Sequence, residues 1–258
     1  MDQIVESLYL FYDHLCTLQN PVIQTPAVKK IYDEFVELLS TPMTEADVQS
    51  IAEQITFRKD LTRLHGELHL RSEKKVAEDY LEGRIDDLFQ DTWFDKHLPV
   101  LLKSQVEHWE RLGFDFSQRD KKLAMIGGGA LPQSQIHFTI YSGAPVTCID
   151  RDDEVVSLVR QVLNKMKQGD LPVIQAEGNQ ADYSEFDLVT VAAMVEDKAS
   201  VLKQIRATSD AWVCVRNPLL LHQLVREPIH QQDAETLGFR LAGTCRIANS
   251  ISTVFQPV

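Results

Sequence analysis

The chain has 258 residues, and its 26 basic and 38 acidic side chains give a formal net charge of −12. This length allows one large domain or two small ones, with a core that needs no disulfide or metal to hold it together. A negative field of this size repels nucleic acid and anionic membrane surfaces, so neither is expected as a partner, whereas a small cationic or zwitterionic ligand is compatible with it.

The sequence also predicts where the protein resides. The N-terminal stretch MDQIVESLYLFYDHL has no basic region and no long apolar run, so we expect no secretory signal. No segment approaches the roughly 18 apolar residues of a membrane span. The cysteines are widely separated and form no C-x-x-C pair. These features favour a cytoplasmic protein with reduced thiols.

The first part of the chain is predicted to be helical. Apolar residues recur at three- and four-residue spacing, as at positions 4, 8, 11 and 15. Thr44 is a suitable N-cap, with Asp47 three residues later as an acidic variant of the capping box. Further helical patterns cover residues 48–57, 60–83 and 98–112. We predict a helical domain over residues 1–118, whose apolar first helix could be a homodimer surface or simple core.

From residue 119 onward, short apolar runs alternate with amphipathic segments. The predicted strands are residues 123–126, 146–149, 173–175, 188–192, 211–216, 239–244 and 252–255. The predicted helices between them are residues 133–141, 154–166, 198–208 and 219–225. This alternation predicts an α/β domain over residues 119–258 with a mostly parallel, doubly wound, Rossmann-like sheet that ends in an antiparallel hairpin. By analogy, the arrangement resembles class I methyltransferase-like folds.

A glycine turn follows the first predicted strand. It consists of Gly127, Gly128 and Gly129. Without a Cβ, these residues can take positive φ and let a ligand lie against the backbone. The third glycine of a dinucleotide fingerprint is missing, because residues 130–132 read ALP, and the chain has no phosphate-binding P-loop. The turn is interpreted as a nucleoside site without phosphates, typical of S-adenosylmethionine; the alternative is a structural turn without a ligand.

Ligands of open α/β sheets bind beyond the carboxyl ends of the strands. That rule selects a set of donor-binding candidates: Gly127, Gly128, Gly129, Leu131, Pro132, Asp150, Arg151, Glu177, Ala193 and Met194. Asp150 ends the second strand, where it would accept the ribose hydroxyls. Glu177 or the nearby Asp182 would meet the adenine amino group. Taken singly, each acidic residue could equally be a solvated loop side chain.

Four segments resemble the nicotianamine synthase family. Residues 126–132, IGGGALP, are similar to its G-S-G-P-L-P signature, and residues 186–195, FDLVTVAAMV, to its Y-D-V-V-F-L-A-A-L-V strand. Residues 213–216, VCVR, resemble L-V-V-R, and Gly238-Phe239 with residues 249–251, NSI, resemble the closing G-F and N-S-[VI] segments. The resemblance covers most of residues 60–258.

Departures from the plant and archaeal pattern make the chain more similar to the bacterial branch, which makes opine metallophores such as staphylopine and pseudopaline. The chain is short, Ala130 replaces a proline, and His97 in residues 94–97, FDKH, stands where a tyrosine is usual. The resemblance implies transfer of the aminobutyrate (3-amino-3-carboxypropyl) group of S-adenosylmethionine to the α-amine of histidine, with methylthioadenosine released and no metal required. A separate opine dehydrogenase would then complete a metallophore for zinc, nickel or cobalt uptake.

This reaction needs a carboxylate near the acceptor amine, because an α-amine with a pKa near 8 is largely protonated at neutral pH. The resemblance implies that residues 71–84, RSEKKVAEDYLEGR, supply it, since they are similar to the family's E-x-x-x-x-E helix. Glu78 is assigned as the base, with Glu82 and Tyr80 as further catalytic residues and Glu73 as an acceptor-binding residue. Ion pairs on a helix surface would have the same sequence pattern.

Other candidates are weaker. His97 could contact the imidazole or carboxylate of the acceptor, or be an ordinary surface histidine. Arg216 could bind a carboxylate of either amino acid, or pair with a neighbouring acid. His65 and His69 lie one helical turn apart, but the histidines lack the H-E-x-x-H spacing, so no metal site is expected.

Two other functions remain open from the sequence. One is a small-molecule N-methyltransferase on the same sheet, and the other is a non-catalytic sensor that binds the nucleoside. For the acceptor, L-histidine is preferred over D-histidine without a residue-level reason.

Overall fold

The computed structural model describes residues 2–89, 98–117, 120–247 and 250–258. The described helices are α1 Asp2–Thr17, α2 Pro26–Leu39, α3 Glu45–Gln54, α4 Arg58–Leu81, α5 Leu98–Arg111, α6 Gln133–Ser142, α7 Asp153–Lys165, α8 Lys198–Thr208 and α9 Gln231–Thr236, with a 3-10 helix at Leu220–Leu224. The strands are β1 Leu123–Ile126, β2 Val146–Asp150, β3 Val173–Gln175, β4 Leu188–Val191, β5 Trp212–Pro218, β6 Phe239–Ile247 and β7 Ser250–Pro257.

The seven strands form one sheet in the order β3-β2-β1-β4-β5-β7-β6. The first five run parallel, and β7 lies antiparallel between β5 and β6. Residues of β1, β2 and β4 are mostly apolar and, except for Asp150 at the end of β2, buried on both faces, which is typical of parallel strands covered by helices. The predicted α/β class with a class I methyltransferase-like arrangement is confirmed. The order of the strands switches between β1 and β4, since β2 and β3 extend the sheet on one side of β1 and β4 extends it on the other. This switch point is where ligands of such sheets bind.

The register of the strands brings the residues that are predicted to bind the nucleoside donor to one edge of the sheet. Ile126, Ile149 and Val191 are aligned as neighbours at the ends of β1, β2 and β4. The glycine turn, Asp150 and the loop after β4 therefore leave the sheet at the same level.

The N-terminal helices pack around their own apolar core. Of the periodic residues on α1, those at positions 8, 11 and 15 are buried and Ile4 is half-buried against them, and the rings of Phe11 and Phe35 stack with centroids 3.5 Å apart. The capping box at Thr44 is present, with the side chains of Thr44 and Asp47 each accepting from the other's backbone N–H. This core also includes Leu221 and Leu224 from the 3-10 helix, so a late segment of the chain completes it. A domain boundary at residue 118 stays a prediction.

Helix α4 is fastened to the sheet half. Lys74 forms an ion pair with Asp152 at 3.2 Å and another with Glu154, both at the start of α7. Val76 and Ala77 pack in one apolar cluster with Leu131, next to the glycine turn. Because both polar and apolar contacts fix α4 here, one face of the helix lies across the carboxyl ends of the strands.

Several predicted elements differ from the observed ones. The predicted helix 219–225 is a 3-10 helix, and α9 was not predicted because six residues are too few for a periodic pattern. Among the described helices, none is long and apolar enough to cross a membrane. On α1, Tyr9 and Leu10 are more than half exposed, and a homodimer through this face stays a prediction.

Gly128 provides a test of the packing behind the turn. A Cβ at this position would lie 2.1 Å from the Sγ of Cys148 on β2, although the φ of Gly128 is not in the left-handed region. We expect Gly128→Ala to lower the free energy of unfolding by about 1–3 kcal/mol through overpacking. Removing the sulfur should relieve the clash, so the double variant with Cys148→Ala should be more stable than Gly128→Ala alone. Denaturant unfolding measures both, and a double variant less stable than the single one would contradict this packing.

Candidate active site

A cavity of about 1040 Å³ opens at the switch point of the sheet. Its walls are the glycine turn, the end of β2, the loops after β3 and β4, and one face of α4. This volume is at the upper end for small-molecule sites and can accommodate two amino-acid-sized ligands, one of them carrying a nucleoside.

The glycine turn is shaped by contacts that exclude side chains. Gly127 and Gly129 have φ of 73° and 67°, as expected, whereas Gly128 is required by its contact with Cys148. A Cβ on Gly127 would lie 2.5 Å from Val195 Cγ2. A Cβ on Gly129 would lie 2.2 Å from Oε2 of Glu73. One side of the turn is therefore covered by a carboxyl group from α4.

Glu73 joins the helical half to the turn. Its Oε2 accepts a hydrogen bond from the backbone N–H of Ala130 at 2.9 Å. Burial raises the pKa of Glu73 from its ordinary 4.5 to about 7; the hydrogen bond from Ala130 opposes this shift, and the charge of Asp150 adds to it. Near neutral pH the carboxyl group can therefore gain or lose a proton.

Asp150 supplies a second carboxyl group beside the same turn. Its Oδ2 accepts from the backbone N–H of Gly129 and its Oδ1 from that of Asp152, both at 3.2 Å. Burial raises the pKa of Asp150, while these two backbone hydrogen bonds oppose the shift. Asp150 and Glu73 thus lie on two sides of one backbone bend.

Most of the predicted donor residues line the cavity: Gly127, Gly128, Gly129, Leu131, Asp150, Arg151, Glu177, Ala193 and Met194. Glu177 is exposed, and Arg151 forms a 3.3 Å ion pair with Glu196. Pro132 is not among the lining residues and is the N-cap residue of α6. Asp182 also lies outside the cavity, where its carboxylate accepts from the backbone N–H of Ser184.

The residues predicted on α4 differ in their position relative to the cavity. Glu73 lines the cavity, whereas Glu78 and Glu82 are exposed and do not, and Glu82 pairs with Arg84. Successive helical residues turn by about 100°, so Glu78 points about 140° away from Glu73 and Glu82 about 180° away. Tyr80 also lies outside the lining, with its ring 4.6 Å from Nζ of Lys165. Of the three glutamates that the resemblance singled out on this helix, Glu73 is the one on the face that lines the cavity.

Arg216 and His97 were also predicted to bind the substrate, and the structure describes only the first of them. Arg216 lines the cavity, with its guanidinium 3.3 and 3.4 Å from Oγ of Ser134 and 5.4 Å from the ring centre of Phe138. No ion pair within the described ranges includes it, and burial lowers its pKa. His97 lies outside the described residues.

The sequence missed the residues at the helical end of the cavity. Tyr32, His222 and Arg226 line it together with His65 and His69, which were considered only as metal ligands. Within the part of the chain that is described, no group of three potential ligands is placed to hold a metal ion. The positions 65, 69 and 73 of α4, spaced by four, carry a polar stripe that could have indicated this face.

Comparison with known proteins was made at the levels of sequence and structure. No family model matches the sequence. Two L-histidine 2-aminobutanoyltransferases, from two strains of Pseudomonas aeruginosa, are 28% identical over 154 residues and 27% identical over 148 residues. These matches cover 57% and 54% of this chain and 55% and 54% of the two relatives. The chain therefore spans about half the length of the relatives.

Solved structures share the fold at lower identity. MtNAS, a nicotianamine synthase, in complex with MTA and tNA superimposes with a TM-score of 0.81 at 20% identity, covering 100% of this chain and 97% of that one. A glutamate-to-glutamine mutant of MtNAS in complex with S-adenosylmethionine has a TM-score of 0.77 at 19% identity, covering 98% and 97%. The mitomycin 7-O-methyltransferase MmcR is more distant, with a TM-score of 0.51, 12% identity, and coverage of 86% and 75%.

The raised pKa of Glu73 predicts how the free energy of unfolding should change with pH. Above pH 7 this carboxylate is ionised in both the folded and unfolded states, and its burial opposes folding; below pH 4.5 it is protonated in both, and the penalty disappears. Glu73→Gln keeps an oxygen that can accept the hydrogen bond from the backbone N–H of Ala130, but it removes the charge. We expect its stabilisation relative to the wild type to grow from near zero at pH 4.5 to about 3 kcal/mol above pH 7.

Chemical denaturation at several pH values measures this difference. The matched control is Glu78→Gln on the exposed face of the same helix, which should show no such pH dependence. A Glu73→Gln stability difference that does not change between pH 4.5 and 8 would contradict the burial of a charge at this position.

Proposed function

We propose that the chain is a nicotianamine synthase-like enzyme that transfers the aminobutyrate (3-amino-3-carboxypropyl) group of S-adenosylmethionine to the α-amine of histidine and releases methylthioadenosine; the sequence relatives and the shared fold support this proposal. The observation that carries this proposal is the position of Glu73. A buried carboxyl group with a pKa of about 7 contacts the glycine turn from the helical side of the cavity. There it can meet an amine that is delivered next to a nucleoside donor.

Two observations support the identity of the substrates. The sequence relatives carry the name L-histidine 2-aminobutanoyltransferase, and structures with the same fold contain S-adenosylmethionine or MTA. S-adenosylmethionine acts here as a co-substrate, and the proposed reaction uses no metal.

The donor fits the sheet side of the cavity. The glycine turn offers backbone contact to the adenosyl group, and Asp150 lies where it can accept the ribose hydroxyls. Glu177 at the end of β3 can accept from the adenine amino group, with Ala193 and Met194 forming the opposite wall. A Cβ on Gly66 would lie 3.8 Å from Cε of Met194, so α4 closes over this end of the cavity.

The chemistry then depends on which carbon of the sulfonium faces the amine. The lone pair of the α-amine attacks the γ-carbon of the methionine portion, a C–N bond forms, and the C–S bond breaks with its electrons going to sulfur. Methylthioadenosine leaves as a neutral thioether. Glu73 hydrogen-bonds the acceptor ammonium and accepts its proton, which a carboxyl group with a pKa near 7 can do at neutral pH.

The biological setting is part of the same proposal. The product would be joined to a keto acid by an opine dehydrogenase in the cytoplasm, giving a metallophore for zinc, nickel or cobalt. This placement rests on the family resemblance, and L-histidine is the acceptor that the names of the relatives favour.

The role of Glu73 has a direct kinetic test. Glu73→Gln should reduce turnover by roughly 10²-fold or more, because no group remains to accept the proton, while donor affinity stays near that of the wild type. Glu78→Gln, on the exposed face, should retain wild-type turnover. Steady-state rates of methylthioadenosine release measure both, and a large loss in Glu78→Gln with none in Glu73→Gln would refute the assignment.

Product analysis tests the reaction type. With S-adenosylmethionine and histidine, we expect mass spectrometry to detect methylthioadenosine and a histidine carrying one aminobutyrate group. Formation of S-adenosylhomocysteine and a methylated amine would instead identify an N-methyltransferase. Saturable donor binding without any turnover would identify a sensor.

A further inference from the structure

Arg226 is a charged side chain at the helical end of the cavity that lacks an acidic partner. It follows the 3-10 helix and lines the cavity beside Tyr32, His69 and His222. Across residues 2–89, 98–117, 120–247 and 250–258, no ion pair includes Arg226, and its buried Nε has no hydrogen-bond partner. A guanidinium stays protonated in proteins, so this position holds a positive charge without a counter-ion.

The groups around Arg226 can hydrogen-bond but cannot neutralise it. Burial, together with the charge of Arg226, lowers the pKa of His69 to about 3 and that of His222 to about 4, so both rings are uncharged at neutral pH. The hydroxyl of Tyr32 lies 2.8 Å from Nε2 of His69. Both ring nitrogens of His222 and Nδ1 of His65 are buried without partners. Unpaired buried polar groups destabilise a protein unless a ligand completes their hydrogen bonds, and the ligand that suits this set is an anion.

The spacing along α4 relates this cluster to Glu73. His65, His69 and Glu73 all line the cavity at intervals of four residues, which separates neighbours by about 6 Å along the helix axis. His69 and His65, which lie beside Arg226, are therefore about one and two turns of α4 from Glu73. In an α-amino acid one carbon separates the ammonium from the carboxylate, so a ligand whose ammonium hydrogen-bonds Glu73 would present its carboxylate to the near end of this cluster, at His69.

The cavity has a second unpaired guanidinium on the donor side. Four arginines line it: Arg63 pairs with Glu67, Arg151 pairs with Glu196, and Arg216 and Arg226 have no acidic partner within the described ranges. Arg216 contacts Ser134 at the start of α6, immediately after the glycine turn. Two amino-acid substrates bring two carboxylates, and the two unpaired arginines are on different walls.

We infer that Arg226, supported by Tyr32, His69 and His222, binds the carboxylate of the acceptor amino acid, and that Arg216 binds the carboxylate of the donor. The inference rests on the proposed function and adds the basis on which the acceptor is recognised. It requires the acceptor to be an α-amino acid, since an amine without a carboxylate leaves Arg226 unpaired.

Histamine provides the probe, because it has the amine and imidazole of histidine without the carboxylate. The wild type should prefer histidine over histamine in kcat/KM by roughly 10²-fold or more, the range expected for a buried charged hydrogen-bonded pair. In Arg226→Gln this preference should fall below about 10-fold, whereas Arg226→Lys should keep part of it. Arg216→Gln should instead raise the KM for S-adenosylmethionine and retain the preference for histidine.

Two controls separate recognition from folding. Arg240→Gln removes an exposed arginine on β6, far from the cavity lining, and should leave activity and preference unchanged. Arg226→Gln should be at least as stable as the wild type, because it removes a half-buried charge that the described residues leave unpaired. A preference that survives in Arg226→Gln, or that disappears in Arg216→Gln, would overturn the assignment.

Binding measurements keep the test independent of the proposed reaction. If the wild type releases no methylthioadenosine with either amine, the proposed function is wrong. Calorimetry with methylthioadenosine-saturated protein then compares histidine with histamine directly. Tighter binding of histidine that is lost in Arg226→Gln supports the carboxylate site on its own, and equal binding of the two amines by the wild type overturns it.

Discussion

The hydrogen bond from the backbone N–H of Ala130 to the carboxyl group of Glu73 connects the two halves of this protein. It requires α4 to cross the glycine turn within contact distance, and the ion pair of Lys74 with Asp152 and the packing of Val76 against Leu131 hold the helix there. It also requires Gly129, since a Cβ would occupy the place of the carboxyl oxygen. The same contact therefore explains a glycine, a buried acid and the position of a helix.

The sheet was predictable from the sequence because its signals are local. Apolar runs that end in glycine or acidic residues identify buried parallel strands, and the alternation with helical segments determines the class. Asp150 was found in the same way, since the end of a strand places it at the ligand edge. The order of β7 between β5 and β6 follows the analogy to class I methyltransferase-like folds, which the observed topology confirms.

The candidate base was not predictable at the level of the residue, for a physical reason. Glu73, Glu78 and Glu82 all have basic neighbours, so charge pattern alone does not distinguish a cavity face from a solvent face. The distinction depends on which face of α4 is turned toward the glycine turn, and this is determined by the packing of distant segments of the chain. Arg226 was missed for a similar reason: its neighbours in space come from α2, α4 and the 3-10 helix, and no local pattern links them.

Uncompensated charges in the cavity give the free protein a preference for zwitterions. Glu73 and Asp150 on one side, and Arg216 and Arg226 on others, are half-buried in the cavity, and in the described ranges no opposite charge of the protein lies at ion-pair distance from them. Buried charges of this kind reduce the stability of the empty protein, and a ligand with matching charges removes that penalty on binding. The net charge of −12 has little part in this, because recognition depends on these few buried groups.

Lys198 extends this reasoning to the connection between the two substrate sites. Its buried Nζ donates to the carbonyls of Ala193 and Val195 in the loop after β4, at 3.0 and 2.8 Å, and to that of Glu227 at 2.6 Å. One side chain thus joins the wall of the donor site to the residue that follows Arg226. Burial lowers the pKa of Lys198 to about 8, but three carbonyl acceptors still satisfy its ammonium. In the proposed reaction, a shift of the loop after β4 on donor binding would therefore reach the backbone next to Arg226 through Lys198.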